Sequence, residues 1–219
     1  MSEVVVFGTG TFAELVDFYL THDSDHEVVA FTADREYVDG DTAYGRPLVP
    51  FDEVTDRYPP AAYDMFVAVG YRDVNRLRAA TFAAAKREGY DLVSYVCSAS
   101  THWGDTEIGE NCFLFEDQTI QPFVEIGDDV VLWSGNHVGH HATLGDHCFV
   151  TSHVVVSGYV EVEPYAFLGV NATLRDEVTI GESCVVGAGA SVVDDTEPDS
   201  VYVGQPAERY AADSGEVDI

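Results

Sequence analysis

Lysine is nearly missing from this chain. Lys86 is the only one in 219 residues, and lysine and arginine together number 10 against 39 acidic residues. A formal charge of −29 leaves no basic stripe, which excludes nucleic acid and anionic membrane surfaces as partners, since both require clustered cations. Long hydrophobic runs are lacking as well. No stretch reaches the roughly 20 apolar residues that cross a bilayer. The chain opens directly on the strand-like Val4-Val5-Val6-Phe7 rather than on a targeting segment, and a cytoplasmic protein is expected. Cysteine is sparse, with four in all.

What the sequence does have is a six-residue beat. From Ile108, through Leu114, Ile120 and Ile126, to Val186 and Val192, every sixth residue is aliphatic without a break. Neither a helix nor a simple strand sustains that period; it marks a solenoid of short flat segments, a parallel β-helix. Glycine follows the aliphatic at Gly109, Gly127, Gly139, Gly145, Gly169, Gly181 and Gly187, where the corners are expected to need a permissive backbone. Small residues recur four places after the aliphatic, as at Cys112, Ala142, Cys148, Ala166 and Cys184, as a narrow interior requires. Cys112, Cys148 and Cys184 stand two coils apart, hence roughly 10 Å at about 4.8 Å per coil, too far for disulfides. They read as core residues of a reducing compartment. Acid in place of lysine over the whole chain resembles proteins of salt-loving archaea, whose acidic surfaces are screened in molar salt.

The first hundred residues follow another rule. Val4 to Gly8 is an apolar run, followed by a helix-like Glu14 to Leu20. Further strands are expected at Val28 to Phe31, ending at Asp34, at Asp64 to Gly70 and at Leu92 to Val96, with a long helix from Asp73 to Glu88. That alternation predicts a small open α/β sheet of Rossmann type. Three segments result: residues 1–97 as an α/β Rossmann-like domain, 98–210 as an all-β parallel β-helix of hexapeptide repeats, and 211–219 as a short acidic tail expected to be disordered.

Strand, then Gly8-x-Gly10-x-x-Ala13, then helix is the dinucleotide or phosphate fingerprint in its proper setting, with Asp34 placed as a ribose-binding acid. Gly70 offers another wall of the same cleft. A tight turn that binds nothing fits the same residues. NAD is not expected, because nothing downstream resembles a hydride-transfer domain.

Five histidines, at 137, 140, 141, 147 and 153, crowd the middle of the repeat. One coil above His140 is Gly158, so a backbone N–H lies about 5 Å over the His140 backbone. A neutral imidazole beside a main-chain donor is the pair that acyl transfer needs, a base for the attacking group and a partner for the oxyanion. The other chemistry open to these residues is zinc. His141, His147 and His153 step by six, so one chain puts them on three corners, and only a trimer interface brings them together.

Laid out in this way, the chain resembles the nucleotide-sugar acyltransferases that join a small Rossmann-like domain to a left-handed β-helix, including bacillosamine-type N-acetyltransferases and sialic acid O-acetyltransferases. Val4 to Ala13, the hexapeptide array and the exit Val203-Gly204-Gln205-Pro206-Ala207 carry the resemblance. It implies the left hand of the coil, a homotrimer with clefts shared by two chains, acetyl-CoA as co-substrate, and no bound metal. It assigns His140 as general base and the Gly158 N–H as oxyanion donor, with acetyl-CoA contacts at Val170 and Ala188. Nucleotide-sugar contacts map to Gly8, Thr9 and Gly10, with Thr32 and Asp34, and with Gly70 and Tyr71 behind them. Where the bacillosamine-type enzymes have an acid after the histidine, this chain has His141. Either His141 orients His140, or Asp146 or Glu161 supplies the charge. Arg175 and Arg209 are the cations available near the upper coils for coenzyme A phosphates, or for pairing with carboxylates. The expected activity is acetyl transfer to a sugar amino or hydroxyl group. A trimeric zinc hydratase of the γ-carbonic-anhydrase kind and a non-catalytic nucleotide-sugar-binding protein remain as the other readings.

Overall fold

In the computed structural model, which describes residues 2–206, the six-residue beat becomes a triangular left-handed parallel β-helix. Each coil lays one short strand on each of three sheets. Strands within each sheet pair in parallel with their equivalents in the adjacent coils, as Leu114, Leu132, Val150 and Leu168 do. The aliphatic of every strand points inward. With Cys112, Ala142, Cys148, Ala166 and Cys184 at the turns, these residues form one continuous core. Burial pushes the Cys112 and Cys148 thiols up to about 12.

The corners correct one expectation. The residue with positive φ is not the glycine after each aliphatic but the residue two places later, among them Asn111, Phe123, Asp129, His141, His147, Tyr159 and Tyr165. The glycines answer to a different constraint, the closeness of the next coil. A Cβ on Gly139 would lie 2.6 Å from the Gly158 nitrogen, and one on Gly169 would lie 2.6 Å from that of Ala188.

The N-terminal sheet runs β3-β4-β2-β1-β5, with β1 Glu3–Phe7, β2 Glu27–Ala33, β3 Thr42–Ala43, β4 Arg46–Pro50 and β5 Asp64–Val67. All pairs are parallel except the β3–β4 hairpin. Helix α1, Thr11–His22, follows β1; a short α2, Val54–Arg57, and then α3, Arg76–Arg87, flank β5. Strand β4 forms although Pro47 and Pro50 each remove a ladder donor; it is tolerated beside a very short edge strand. β5 stops at Val67, and α3 starts only at Arg76. The reason is a left-handed turn at Asp73, Val74 and Asn75, with φ of 53°, 45° and 67°. The expected strand from Leu92 to Val96 divides. Leu92 bridges Met65 of the N-terminal sheet, while Tyr95–Val96 (β6) pairs with Phe113–Leu114 of the β-helix.

One face of the prism carries the N-terminal unit. Its outward positions recur once per coil as Phe113, Val131, Phe149, Phe167 and Val185, whereas the corresponding positions on the other two faces are mostly Thr, Glu, Ser or His. Phe12 of α1 meets Phe113 at 5.7 Å between ring centroids, and Tyr71 meets Phe149 and Phe167 at 5.0 Å each. Asp23, just past α1, accepts hydrogen bonds from Ser98 and Tyr95, which pull its carboxyl down to about 2.

The weld between the two units is Arg78 of α3, which has no solvent exposure. Its Nε lies 3.0 Å from Asp129 Oδ2, itself fully buried, and its terminal nitrogens donate to the carbonyls of Asp129, His147 and Cys148 and to Asn75 Oδ1. His147 Nδ1 sits 2.8 Å from the same carboxylate, and Asn111 donates to the other oxygen while pairing with the Val67 main chain. Removing one member of such a buried pair strands the other charge. Arg78→Ala is therefore expected to cost about 3–5 kcal/mol in denaturant unfolding. A loss well under about 1 kcal/mol would mean that aromatic packing alone fixes the docking.

Candidate functional site

Two separate regions carry the predicted residues. The first is a cleft of about 690 Å³ at the C-terminal ends of β1, β2 and β5, lined by Gly8, Thr9, Gly10, Asp34, Gly70 and Tyr71 together with Glu36, Tyr37 and Arg72. This is where open α/β sheets bind ligands. Gly8 has φ +131°, and a Cβ there would meet the Ala68 carbonyl oxygen at 2.7 Å, so only glycine fits the floor. Gly10 is the N-cap of α1 and offers no side-chain cap, so no side chain uses the first-turn amide donors that suit an anionic group. Arg35 turns out to Asp52 and Glu53, leaving Arg72 as the cation of the lining. Thr32 is a correction: it is fully buried within β2 and absent from the lining, and its carbonyl accepts the Gly8 N–H at 2.8 Å. Glu36, Tyr37 and Arg72 were missed by sequence reasoning, although their nearness to Asp34 and Tyr71 marked them.

The second region is the prism edge opposite the docking face. There His140 lies against Gly158 of the next coil; a Cβ on Gly158 would stand 2.8 Å from His140 Cε1 and 3.1 Å from Nε2. Glycine at 158 thus makes room for the imidazole beside the main chain. The Gly158 N–H is engaged, however: it donates to Asp176 Oδ1 at 3.0 Å, one coil higher. A carboxylate oxygen occupies the position at which a developing oxyanion would be held. The His140 N–H donates to Gln121 Oε1.

His141 directly adjoins His140, with the two Nδ1 atoms 3.2 Å apart. Asp146 instead accepts from the Asp128 N–H, and Glu161 lies in a strand of the neighbouring face. Val170 and Ala188 share one edge, with the second face between them and His140; one chain does not bring them to the imidazole. Arg175 is exposed on the His140 edge, two coils up. Arg209, Ala207 and the acidic tail lie outside the described residues.

The remaining histidines separate by edge. His147 belongs to the Arg78–Asp129 weld, and the His153 ring lies over Gly135, where a Cβ would touch it. His141 stands on the third edge, and among the described residues no three His, Cys, Asp or Glu side chains converge as metal ligands.

Known proteins share this architecture. The bacterial transferase hexapeptide family (six repeats) matches residues 123–158, the span from Phe123 through His140 to Gly158. PerB from Caulobacter crescentus, solved in complex with CoA and GDP-perosamine, is 28% identical, with a TM-score of 0.82 over 95% of this chain and 97% of that one. This chain is similar in fold to PerB over nearly its whole length. The acetyltransferase domain of PglB from Neisseria gonorrhoeae FA1090 shares that fold, at 20% identity and a TM-score of 0.80 over 96% of this chain and all of that one. WeeI from Acinetobacter baumannii AYE shares it at 19% identity and a TM-score of 0.63, over 95% and 99%.

The cleft floor depends on Gly8. Gly8→Ala is expected to cost about 1–3 kcal/mol in a denaturant melt, the strain of a side chain forced into a glycine-only conformation. An unchanged midpoint would show that the loop relaxes and the floor is not rigid.

Proposed function

We propose that this protein transfers an acetyl group from acetyl-CoA to an amino or hydroxyl group of a nucleotide-linked sugar. The observation that carries the reading is an exposed imidazole, His140, seated on the Gly158 main chain one coil above. The CoA and GDP-perosamine bound by PerB, which matches nearly the whole chain, support the co-substrate and acceptor class. His140 Nε2 takes a proton from the acceptor as its nitrogen or oxygen attacks the thioester carbon. The Asp176 carboxylate leaves the Gly158 N–H, which then holds the tetrahedral oxyanion. On collapse the C–S bond breaks, and the imidazolium returns its proton to the departing thiolate.

The nucleotide belongs in the cleft of Gly8, Thr9, Gly10, Asp34, Gly70 and Tyr71, with the first-turn amides of α1 and Arg72 toward its phosphates. That cleft adjoins the docking face, whereas His140 stands on the opposite edge of the same prism. A sugar held in one chain therefore meets the His140 of a second chain, and Val170 and Ala188 reach the same acetyl-CoA from a different edge. A homotrimer with clefts between β-helices satisfies both requirements.

Thiol release from acetyl-CoA, followed at high salt against a panel of amino- and hydroxy-bearing nucleotide sugars, tests the reading. Turnover is expected with a member of the panel, and His140→Ala should lower it by about 10²–10⁴-fold without dissociating the oligomer. Near-normal turnover in that variant would end the assignment, and binding without turnover would leave a nucleotide-sugar-binding protein. Because Asp176 competes for the proposed oxyanion donor, Asp176→Ala should leave kcat/KM at or above the parent value. A fall as deep as that of His140→Ala would give Asp176 a direct part in the reaction and remove Gly158 from its role.

A further inference from the structure

The edge that holds His140 carries a ladder of rings, one per coil. Phe123, His141 and Tyr159 occupy the same left-handed corner position in three successive coils, with φ of 67°, 59° and 58°. His141 lies between the other two. Its ring is 4.7 Å from Phe123, and 4.7 Å from Tyr159 with an interplanar angle of 13°. Tyr159 also meets His140 edge-on at 5.1 Å. Phe123 and Tyr159 are 63% and 54% exposed in the single chain, and they grip the imidazole between them.

The grip fixes the plane of His141 and aims its Nδ1 at His140 Nδ1, 3.2 Å away. Only one hydrogen can lie between those nitrogens. If it is carried by His140, then Nε2 of His140 is a free lone pair facing Gly158, and His141 accepts. If it is carried by His141, then His140 Nε2 holds its own proton and cannot act as a base. A single added proton is accommodated on His140, whose Nδ1–H still donates to His141. A second added proton sets two N–H groups head to head.

We infer that Phe123 and Tyr159 position His141 as a neutral acceptor for His140 Nδ1–H, making the two histidines a one-proton dyad that does the work of a histidine–carboxylate pair. His141 is a positioning residue in this scheme. Charged and titratable groups around the dyad are few. Tyr159 lies on the coil above, and Arg175, Asp176 and Glu177 on the next. The coil below presents the uncharged Gln121 and Phe123. On the flanking strands are His137 to one side and Thr143 to the other, with Glu125 and Glu161 paired on either side of Thr143. No carboxylate contacts either ring at hydrogen-bond distance among the described residues.

The direct test is nitrogen NMR of the full-length protein labelled at histidine, with signals assigned through His140→Gln and His141→Phe. Neutral His140 is expected to carry its proton on Nδ1, the less common form, with His141 Nδ1 as the unprotonated acceptor. In His141→Phe, His140 should revert to the Nε2–H form. In His141→Glu it should keep the Nδ1–H form, because the carboxylate accepts from Nδ1. Tyr159→Leu should loosen the grip and shift His140 toward the Nε2–H form. His140 in the Nε2–H form in the parent protein would overturn the dyad.

The kinetic arm rests on the acetyl-transfer reading. There His141→Phe should lower kcat/KM by on the order of 10²-fold, and His141→Glu should restore much of it with its acidic limb moved up in pH. If His140→Ala abolishes turnover while His141→Phe keeps the parent rate and pH profile, the dyad fails and acetyl transfer stands. If His140→Ala is fully active, acetyl transfer fails, and the NMR tautomer assignment still decides the dyad.

Discussion

A guanidinium with no access to water must find all its partners inside the protein, and that demand on Arg78 organises the rest of the molecule. Asp129 supplies the charge, and the carbonyls of Asp129, His147 and Cys148 come from consecutive coils at one edge of the prism. A buried pair of this kind adds little net stability over a well-packed apolar contact, but it tolerates only one arrangement. It fixes the height and rotation of α3 against the β-helix. Asn75, bonded to Arg78 and to the carbonyls of Tyr165 and Ala166, keeps the preceding turn left-handed, even at the β-branched Val74. Tyr71 and Arg72, on the other side of that turn, inherit their place in the cleft wall.

Under the proposed reading, function divides along the edges of the triangle. One edge serves the weld, one presents Val170 and Ala188, and one presents the His140 dyad with its aromatic grip. Each coil contributes a single corner residue to each edge, so chemistry accumulates in columns, one member per coil. The column Phe123, His141, Tyr159 and the column Asn111, Asp129, His147, Tyr165 share the same backbone conformation. What separates a candidate catalytic column from a structural one is the face beside it: α3 covers the second and leaves the first open.

The coil, its interior and the βα turn at Gly8 were legible in the sequence because each follows from a local period or a backbone constraint. The height of Gly158 over His140 was legible for the same reason. The role of His147 was not, since it depends on Arg78 from another part of the chain, and nothing in local spacing pairs residues so far apart. Thr32 was expected at the cleft from its nearness to Asp34, but it is sealed within β2, in register with Phe7 of β1. The docking face could have been read: phenylalanine at 113, 149 and 167 is a once-per-coil signal, hidden beneath the stronger six-residue one. The engagement of the Gly158 N–H by Asp176 needed coordinates, because many acidic residues stand at comparable positions.

The scarcity of lysine has a chemical meaning beyond charge. Under the proposed acetyl transfer, an unprotonated lysine amine beside the thioester would compete with the acceptor as a nucleophile. Here the chain offers a single ε-amine, and Lys86 Nζ is held 2.6 Å from Glu110 Oε2 as an ion-paired ammonium, with its lone pair taken up by a proton. An acyl donor resting against this surface finds almost nothing of the protein's own to react with.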